Sequence, residues 1–435
     1  MKPNIIFYFS DQQRHDTLNS TVMPNLTAFS NEGTVFENSF TCQPVCGPAR
    51  ACIQTGVYAN QNKSYWNGVP LSKEIKPLAE HLNEAGYETA YIGKWHLASD
   101  RIPKVGLHYE KKAIPKQLRG GYKDFWRAAD VLEFTSNGYG GYVFDENNQK
   151  CEFSGYRADC INDFAIEYIN NKTSDKPFFL FISQLEPHHQ NDSGHFEGKK
   201  ETIEKFKSYP IPEDLAFLKG DYNEEYPDYI SAINAIDENL LRLVNTLKEK
   251  NLYDNTVIIY TSDHSCHFKT RNLEYKRSPH DSSIRTPLVI FGGAYKGKKK
   301  DDRMASLIDM APTILDFAGA DIPNSYMGSS LIREKERDFA FVQVSESQIG
   351  RAVRTKRYLY SIRAKGNGFT RHSATVYYED YLYDMEKDPY QKENLIKSPD
   401  YEQERTVLKE MLIKEMVRAE EKKPIIKPAK TIRKK

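Results

Sequence analysis

The sequence has little cysteine, no long apolar run and almost no excess of charge, and each shortage removes a class of protein. Six cysteines in 435 residues, at positions 42, 46, 52, 151, 160 and 266, are too few and too irregularly spaced for a disulfide framework or a paired zinc-finger site. Against 61 Lys and Arg stand 60 Asp and Glu, a formal charge of +1, which provides no field able to capture nucleic acid or a membrane surface. No stretch approaches the roughly 20 apolar residues of a bilayer span. Residues 1–10 lack the apolar core and small-residue cleavage site of a secretory signal. These absences predict a soluble protein in a reducing, cytoplasmic setting, or a periplasmic or secreted one had an export segment preceded residue 1.

What remains is length and periodicity. At 39% hydrophobic, a chain of 435 residues can bury a large core. Short runs rich in Ile, Val, Phe and Tyr at 5–10, 88–92, 178–183 and 256–261 read as buried parallel strands. Helical spacing at 227–247, with Pro227 suited to a first turn, and at 304–317 reads as helices packed on the sheet. After about residue 334 the rhythm shortens to strands at 339–344, 358–362 and 375–383, followed by an amphipathic helix near 401–417. The expected architecture is therefore α/β: a large mixed, mainly parallel sheet between helices over 1–334, and a small C-terminal α+β subdomain with an antiparallel sheet over 335–418. The Lys- and Pro-rich tail, 419–435, has little to bury and is expected to be disordered. Residues 98–150 are expected to be loops covering a site.

Each of the four strands ends in a polar cluster: Asp11-Gln12, Gly93-Lys94-Trp95-His96, Pro187-His188-His189 and Asp263-His264. In open α/β sheets, sites form beyond the carboxyl ends of strands, so these clusters predict one shared rim. A single Lys-x-His is usually a surface lysine beside a satisfied histidine, and an Asp after a strand is often a helix cap.

The segment Cys46-Gly47-Pro48-Ala49-Arg50, continued to Thr55-Gly56, changes that balance. It resembles the signature of the type I sulfatases of the alkaline phosphatase-like superfamily, C-x-P-[SA]-R followed shortly by T-G. In that family the cysteine is oxidised by a maturase to formylglycine, whose hydrated aldehyde is the nucleophile; Ala49 stands where many members have Ser. The resemblance runs on through Gly93-Lys94-Trp95-His96-Leu97, Pro187-His188, Lys276 ahead of Ser283-Ile284-Arg285-Thr286-Pro287, and the closing segment Leu382-Tyr383-Asp384 to Asp388-Pro389.

The resemblance implies a role for each position. Lys94 and Lys276 grip the sulfate oxygens, Arg50 holds the formylglycine and metal region, His188 protonates the leaving oxygen, and His96 takes the proton that lets the sulfated intermediate collapse. The family usually continues P-H-x-P where this chain has His188-His189-Gln190, so His189 is a second candidate acid. Asp11, Gln12, Asp263, His264 and residue 46 would hold a divalent ion, Ca²⁺ by family habit, with Mg²⁺ or Mn²⁺ also tolerated by such a ligand set. Gln12 stands where many members have a second Asp. His267, Arg271 and His280, around Lys276, are candidate substrate-specificity residues.

The expected activity is hydrolysis of a sulfate ester on a small sulfated carbohydrate. The nearest alternative is a phosphonate monoester or phosphodiester hydrolase of the same superfamily, which shares C-x-P-x-R and the Asp-Gln pair. A non-catalytic sugar-binding relative is the alternative of another class.

Overall fold

The computed structural model describes residues 2–100, 106–333 and 336–429. Eleven strands form the main sheet. They are β1 (Asn4–Ser10), β2 (Thr34–Phe40), β3 (Glu88–Lys94), β4 (Phe125–Ala129), β5 (Ser136–Asn137), β6 (Gly140–Asp145), β7 (Lys150–Ser154), β8 (Phe178–Ser183), β9 (Thr256–Ser262), β10 (Leu288–Phe291) and β11 (Lys299–Ser306), in the order β11-β2-β10-β9-β1-β8-β3-β4-β6-β5, with β7 beside β6. The centre, β9-β1-β8-β3-β4, is parallel throughout. Its strands read as unbroken apolar runs because both faces are covered. In β1, Ile5, Phe7 and Phe9 enter one core while Ile6 and Tyr8 enter the other, as a period of two requires.

The helices Arg157–Asn171 and Tyr222–Glu249 pack on the face that holds Ile6 and Tyr8; Cys46–Thr55, Leu78–Glu84 and Met310–Phe317 cover the other. The long helix starts five residues ahead of Pro227, which lies inside it. The bond that this proline cannot donate would run to Asn223 in the first turn, so little is lost there. Residues 304–306, expected to open a helix, instead end β11, where Met304, Ala305 and Ser306 pair with Asn38, Ser39 and Phe40. Residues 98–150 carry β4 to β7, which extend the sheet, rather than loops alone; residues 101–105 lie outside the described set.

A second sheet comprises β12 (Phe339–Val344), β13 (Ile349–Thr355), β14 (Tyr358–Ala364), β15 (Val376–Asp384) and β16 (Ile425–Lys427). Its first four strands are antiparallel, with the helix Glu402–Arg418 against them. The tail, expected to be without structure, is ordered at least to β16, which pairs in parallel with β15. Buried Glu421 explains the anchoring: it accepts from Arg351 Nε at 2.6 Å and from Gln343 Nε2 at 2.6 Å. The expected boundary at 334/335 and residues 430–435 lie outside the described residues. Among the described residues no helix is long and apolar enough to cross a membrane.

Candidate active site

The four polar clusters meet where the parallel strands end. Gly93 is the most constrained point of the rim. Its φ is +96°, and a Cβ there would sit 1.9 Å from the Ser183 carbonyl oxygen, so only glycine lets β3 approach β8 this closely. This turn carries Lys94 into the site and is followed by His96, also in the left-handed region at φ 59°. The loop after it is held from below by Asp130, whose carboxylate accepts from the backbone N–H groups of Leu97, Ala98 and Ser99 at 2.8–3.0 Å.

Cys46 is the first residue of its helix and is 1% exposed. Pro48 falls in the first turn, where its missing N–H costs nothing. Gly56 ends the helix in the left-handed conformation at φ 68°, and its N–H returns to the Cys52 carbonyl. Thr-Gly is thus a helix stop, not a chemical element.

The Cys46 Sγ accepts from Lys276 Nζ at 2.9 Å and lies 3.2 Å from His264 Nε2 and 3.4 Å from Asp11 Oδ1. Burial and Asp11 push its pKa up, but Lys276, Lys94 and His264 outweigh them and bring it down to about 6. Position 46 therefore favours a nucleophile that develops negative charge.

Arg50, one turn on, points back into the site. It donates to Ser183 Oγ at 2.6 Å, the Lys94 carbonyl at 3.0 Å and Asp11 Oδ2 at 3.0 Å, and lies 3.6 Å from Asp263 Oδ2. Lys94 Nζ bridges Asp11 Oδ2 at 2.9 Å and Glu133 Oε1 at 3.1 Å. Lys276 Nζ donates to Gln12 Oε1 at 3.3 Å and His188 Nε2 at 3.1 Å as well as to Cys46.

The donor set suits a divalent cation. Asp11, Cys46, Asp263 and His264 present ligand atoms within 4.8 Å of one another, and the Gln12 amide oxygen accepts from Lys276 Nζ, which also donates to Cys46. Asp263 Oδ1 accepts from the backbone of Gln12 and His264, each at 2.9 Å, while the buried Oδ2 has no hydrogen-bond partner. Burial and the neighbouring Asp11 raise the Asp263 pKa to about 7. His264 Nδ1 donates to the Ser265 carbonyl at 3.0 Å, which leaves the Nε2 lone pair facing the cluster, the tautomer a metal ligand needs.

The histidines divide clearly. His188 Nδ1 donates to the His189 carbonyl at 2.6 Å, so Nε2 accepts from Lys276. His189 stacks on His188 with centroids 4.4 Å apart and lies beside Tyr275. Burial and Lys94 lower the His96 pKa to about 4, so this ring is neutral near pH 7 and able to accept a proton.

His267, Arg271 and His280, candidates for substrate contact, face elsewhere. His267 Nε2 donates to the Lys276 carbonyl at 3.0 Å and supports that lysine from behind. Arg271 reaches the Gln391 and Tyr390 carbonyls at 3.0 and 2.9 Å and ties the loop to the C-terminal part. His280 is buried against Ser278 and Tyr383. Sequence reasoning missed Asp130, Ser183, Glu133 and Asn67, the last accepting from the Gly47 N–H at 2.9 Å. Each is a lone polar residue in a segment without a motif.

A cavity of about 340 Å³ opens over Cys46, lined among others by His96, Glu133, Phe134, His188, Lys276 and Arg277. Its volume lies at the small end of ligand pockets, roughly 300–1,000 Å³.

A nucleophile position at a helix start, beneath two lysines and beside a carboxylate–histidine metal cradle at the carboxyl end of a mixed sheet, defines a hydrolase of anionic esters with the alkaline phosphatase-like fold. The chain belongs to the sulfatase family: the family model "Sulfatase" matches residues 3–320, and that of the C-terminal part of N-sulphoglucosamine sulphohydrolase matches 272–418.

The N-acetylglucosamine-6-O-sulfatase of Bacteroides thetaiotaomicron is 25% identical, over 94% of this chain and 86% of its own. A structure solved in complex with its substrate D-glucosamine-2-N,6-O-disulfate superposes with a TM-score of 0.75 at 22% identity, over 97% of this chain and 98% of that one. The phosphonate monoester hydrolase of Agrobacterium radiobacter shares the fold as well, with a TM-score of 0.69 at 21% identity over 96% of both chains. The chain is thus an enzyme, a sulfuric ester hydrolase.

Proposed function

We propose that this sulfatase removes sulfate from a small sulfated carbohydrate, using a formylglycine made from Cys46 by a maturase and a divalent cation, Ca²⁺ or in its place Mg²⁺ or Mn²⁺. The observation that carries the reading is the position of Cys46: its Sγ lies 2.9–3.4 Å from Lys276, His264 and Asp11 under an open cavity of about 340 Å³. Formylglycine at this position would supply a hydroxyl nucleophile from its hydrated aldehyde. Asp11, Gln12, Asp263, His264 and residue 46 would hold the cation, which would supply Lewis acidity there.

The side chains present do the remaining work. Lys94 and Lys276 are fixed ammonium groups, pre-oriented by Asp11, Glu133, Gln12 and His188, and they hold the negative charge of the sulfate without reorganising. Arg50 locks Asp11 and the end of β3 in one geometry. The pair His188 and Lys276 carries the proton that the departing alkoxide oxygen needs, and the neutral ring of His96 accepts the proton whose loss ends the cycle. His188 is favoured over His189 as the acid because its Nε2 is the atom joined to Lys276.

The test is sulfate release by the matured enzyme from sulfated monosaccharides and oligosaccharides, run against aryl phosphonate and phosphodiester substrates. The Asp11-Gln12 pair is the feature that the phosphonate reading shares. Sulfate esters turned over with the higher kcat/KM support the proposal; preference for a phosphorus ester overturns it.

A further inference from the structure

The cavity over Cys46 has two chemically different walls. One is cationic and is formed by Lys276, with Lys94 fully buried outside the lining. The other is built on the short helix Leu132–Thr135, where Glu133 and Phe134 stand side by side, with Asn191, His189 and Glu110 nearby.

Glu133 is 5% exposed, and its Oε1 accepts from Lys94 Nζ at 3.1 Å and Asn191 Nδ2 at 3.5 Å. Its Oε2 has no hydrogen-bond partner. An unpaired buried carboxylate oxygen is costly, and Glu133 is one of the residues that line the cavity. Of the lining residues only Lys276 and Arg277 carry positive charge, and both are committed. Arg277 Nε donates to Glu346 Oε2 at 2.5 Å, and its terminal nitrogens lie against Glu274 and Glu346. Glu110 adds a further carboxylate.

We infer that this wall selects sugars presenting a hydrogen-bond donor, a hydroxyl or an ammonium, and rejects sugars presenting a second sulfate; the inference rests on the sulfatase reading. The donor hydrogen is taken by the Glu133 carboxylate while Phe134, 46% exposed, covers the C–H face of the ring. A second sulfate would bring acceptor oxygens and like charge against Glu133 and Glu110, with no uncommitted cation in the wall to meet it.

The test measures kcat/KM for glucose, glucosamine and N-sulfated glucosamine, each carrying one O-sulfate at the same ring position, in a 3-O- and a 6-O-series, for the wild type and Glu133→Gln. The wild type is expected to favour the glucose or the glucosamine form over the N-sulfated form by at least about tenfold, the better of the two telling hydroxyl from ammonium. Glu133→Gln keeps the shape and removes the charge. It is expected to slow turnover generally through Lys94 and to shrink the discrimination to within about threefold.

Equal or faster turnover of the N-sulfated sugar by the wild type overturns the inference. So does an unchanged ratio in Glu133→Gln, or cleavage of an aryl sulfate with none of the sugars accepted. Sulfate release from no ester at all, aryl included, counts instead against the sulfatase reading on which the inference stands.

Discussion

At the scale of single residues, the site is a set of charges that stabilise one another only as a group. Asp11 keeps its carboxyl well below the usual range, against the pull of burial, because Lys94, His188, Arg50 and Lys276 surround it. Lys276 spends its three donors on Cys46, Gln12 and His188. Lys276→Met should therefore lower kcat/KM about a hundredfold or more, the usual effect of deleting one preorganised donor, and lower the melting temperature as well, since it takes a buried cation from the set around Asp11. Steady-state kinetics beside calorimetry checks this; a variant within threefold of the wild type would remove Lys276 from the chemistry.

Gly93→Ala acts differently, since its Cβ meets the Ser183 backbone oxygen and its φ is left-handed. The expected cost is on the order of 3 kcal/mol or more, read from urea unfolding, and the activity should fall with the displaced Lys94.

At the scale of elements, the parallel strands and their ends were legible because a strand covered on both faces is written as an unbroken apolar run and the residues after it are polar. Strand β13 was not. Its residues Arg351 and Arg354 interrupt the apolar pattern, and only the fold shows that Glu421 and Asp281 neutralise them inside the protein. The same pairing hid the order of the tail, whose composition reads as solvated.

Motifs exposed Cys46, Lys94, His96, His188 and Lys276, whereas Glu133 and Asp130 became visible only once β4 delivered them to the rim. His267 and His280 show the limit of the pattern: a histidine in a charged loop near a lysine reads as a candidate ligand contact, whereas in the fold His267 bonds the Lys276 carbonyl and His280 lies against Ser278 and Tyr383. Truncating Glu421 tests the tail. Glu421→Ala leaves Arg351 buried and unpaired and should cost about 3–5 kcal/mol, measured by denaturant unfolding; a loss under about 0.5 kcal/mol would mean that β16 contributes nothing.

At the scale of the whole molecule, the fold keeps several histidines neutral. Burial holds the pKa of His96 near 4 and those of His15 and His267 near 3, below the ordinary value of 6.5. Between pH 6.5 and about 4 the unfolded chain takes up protons that the folded chain refuses, so the unfolded state binds more protons and stability rises with pH. Each such group contributes at most about 1.4 kcal/mol per pH unit inside that window. The unfolding midpoint in EDTA, where no metal adds its own pH dependence, should accordingly fall steadily below pH 6.5; a flat profile down to pH 5 would show that these rings titrate normally.

The account as a whole depends on the chemical state of one side chain. The most direct measurement is mass spectrometry of the tryptic peptide containing residue 46, taken from protein co-produced with a formylglycine-generating maturase and assayed in parallel for sulfate release. The account predicts the aldehyde at position 46, activity in proportion to its fraction, and none in Cys46→Ala. Full activity from protein whose Cys46 remains an unmodified thiol would contradict it.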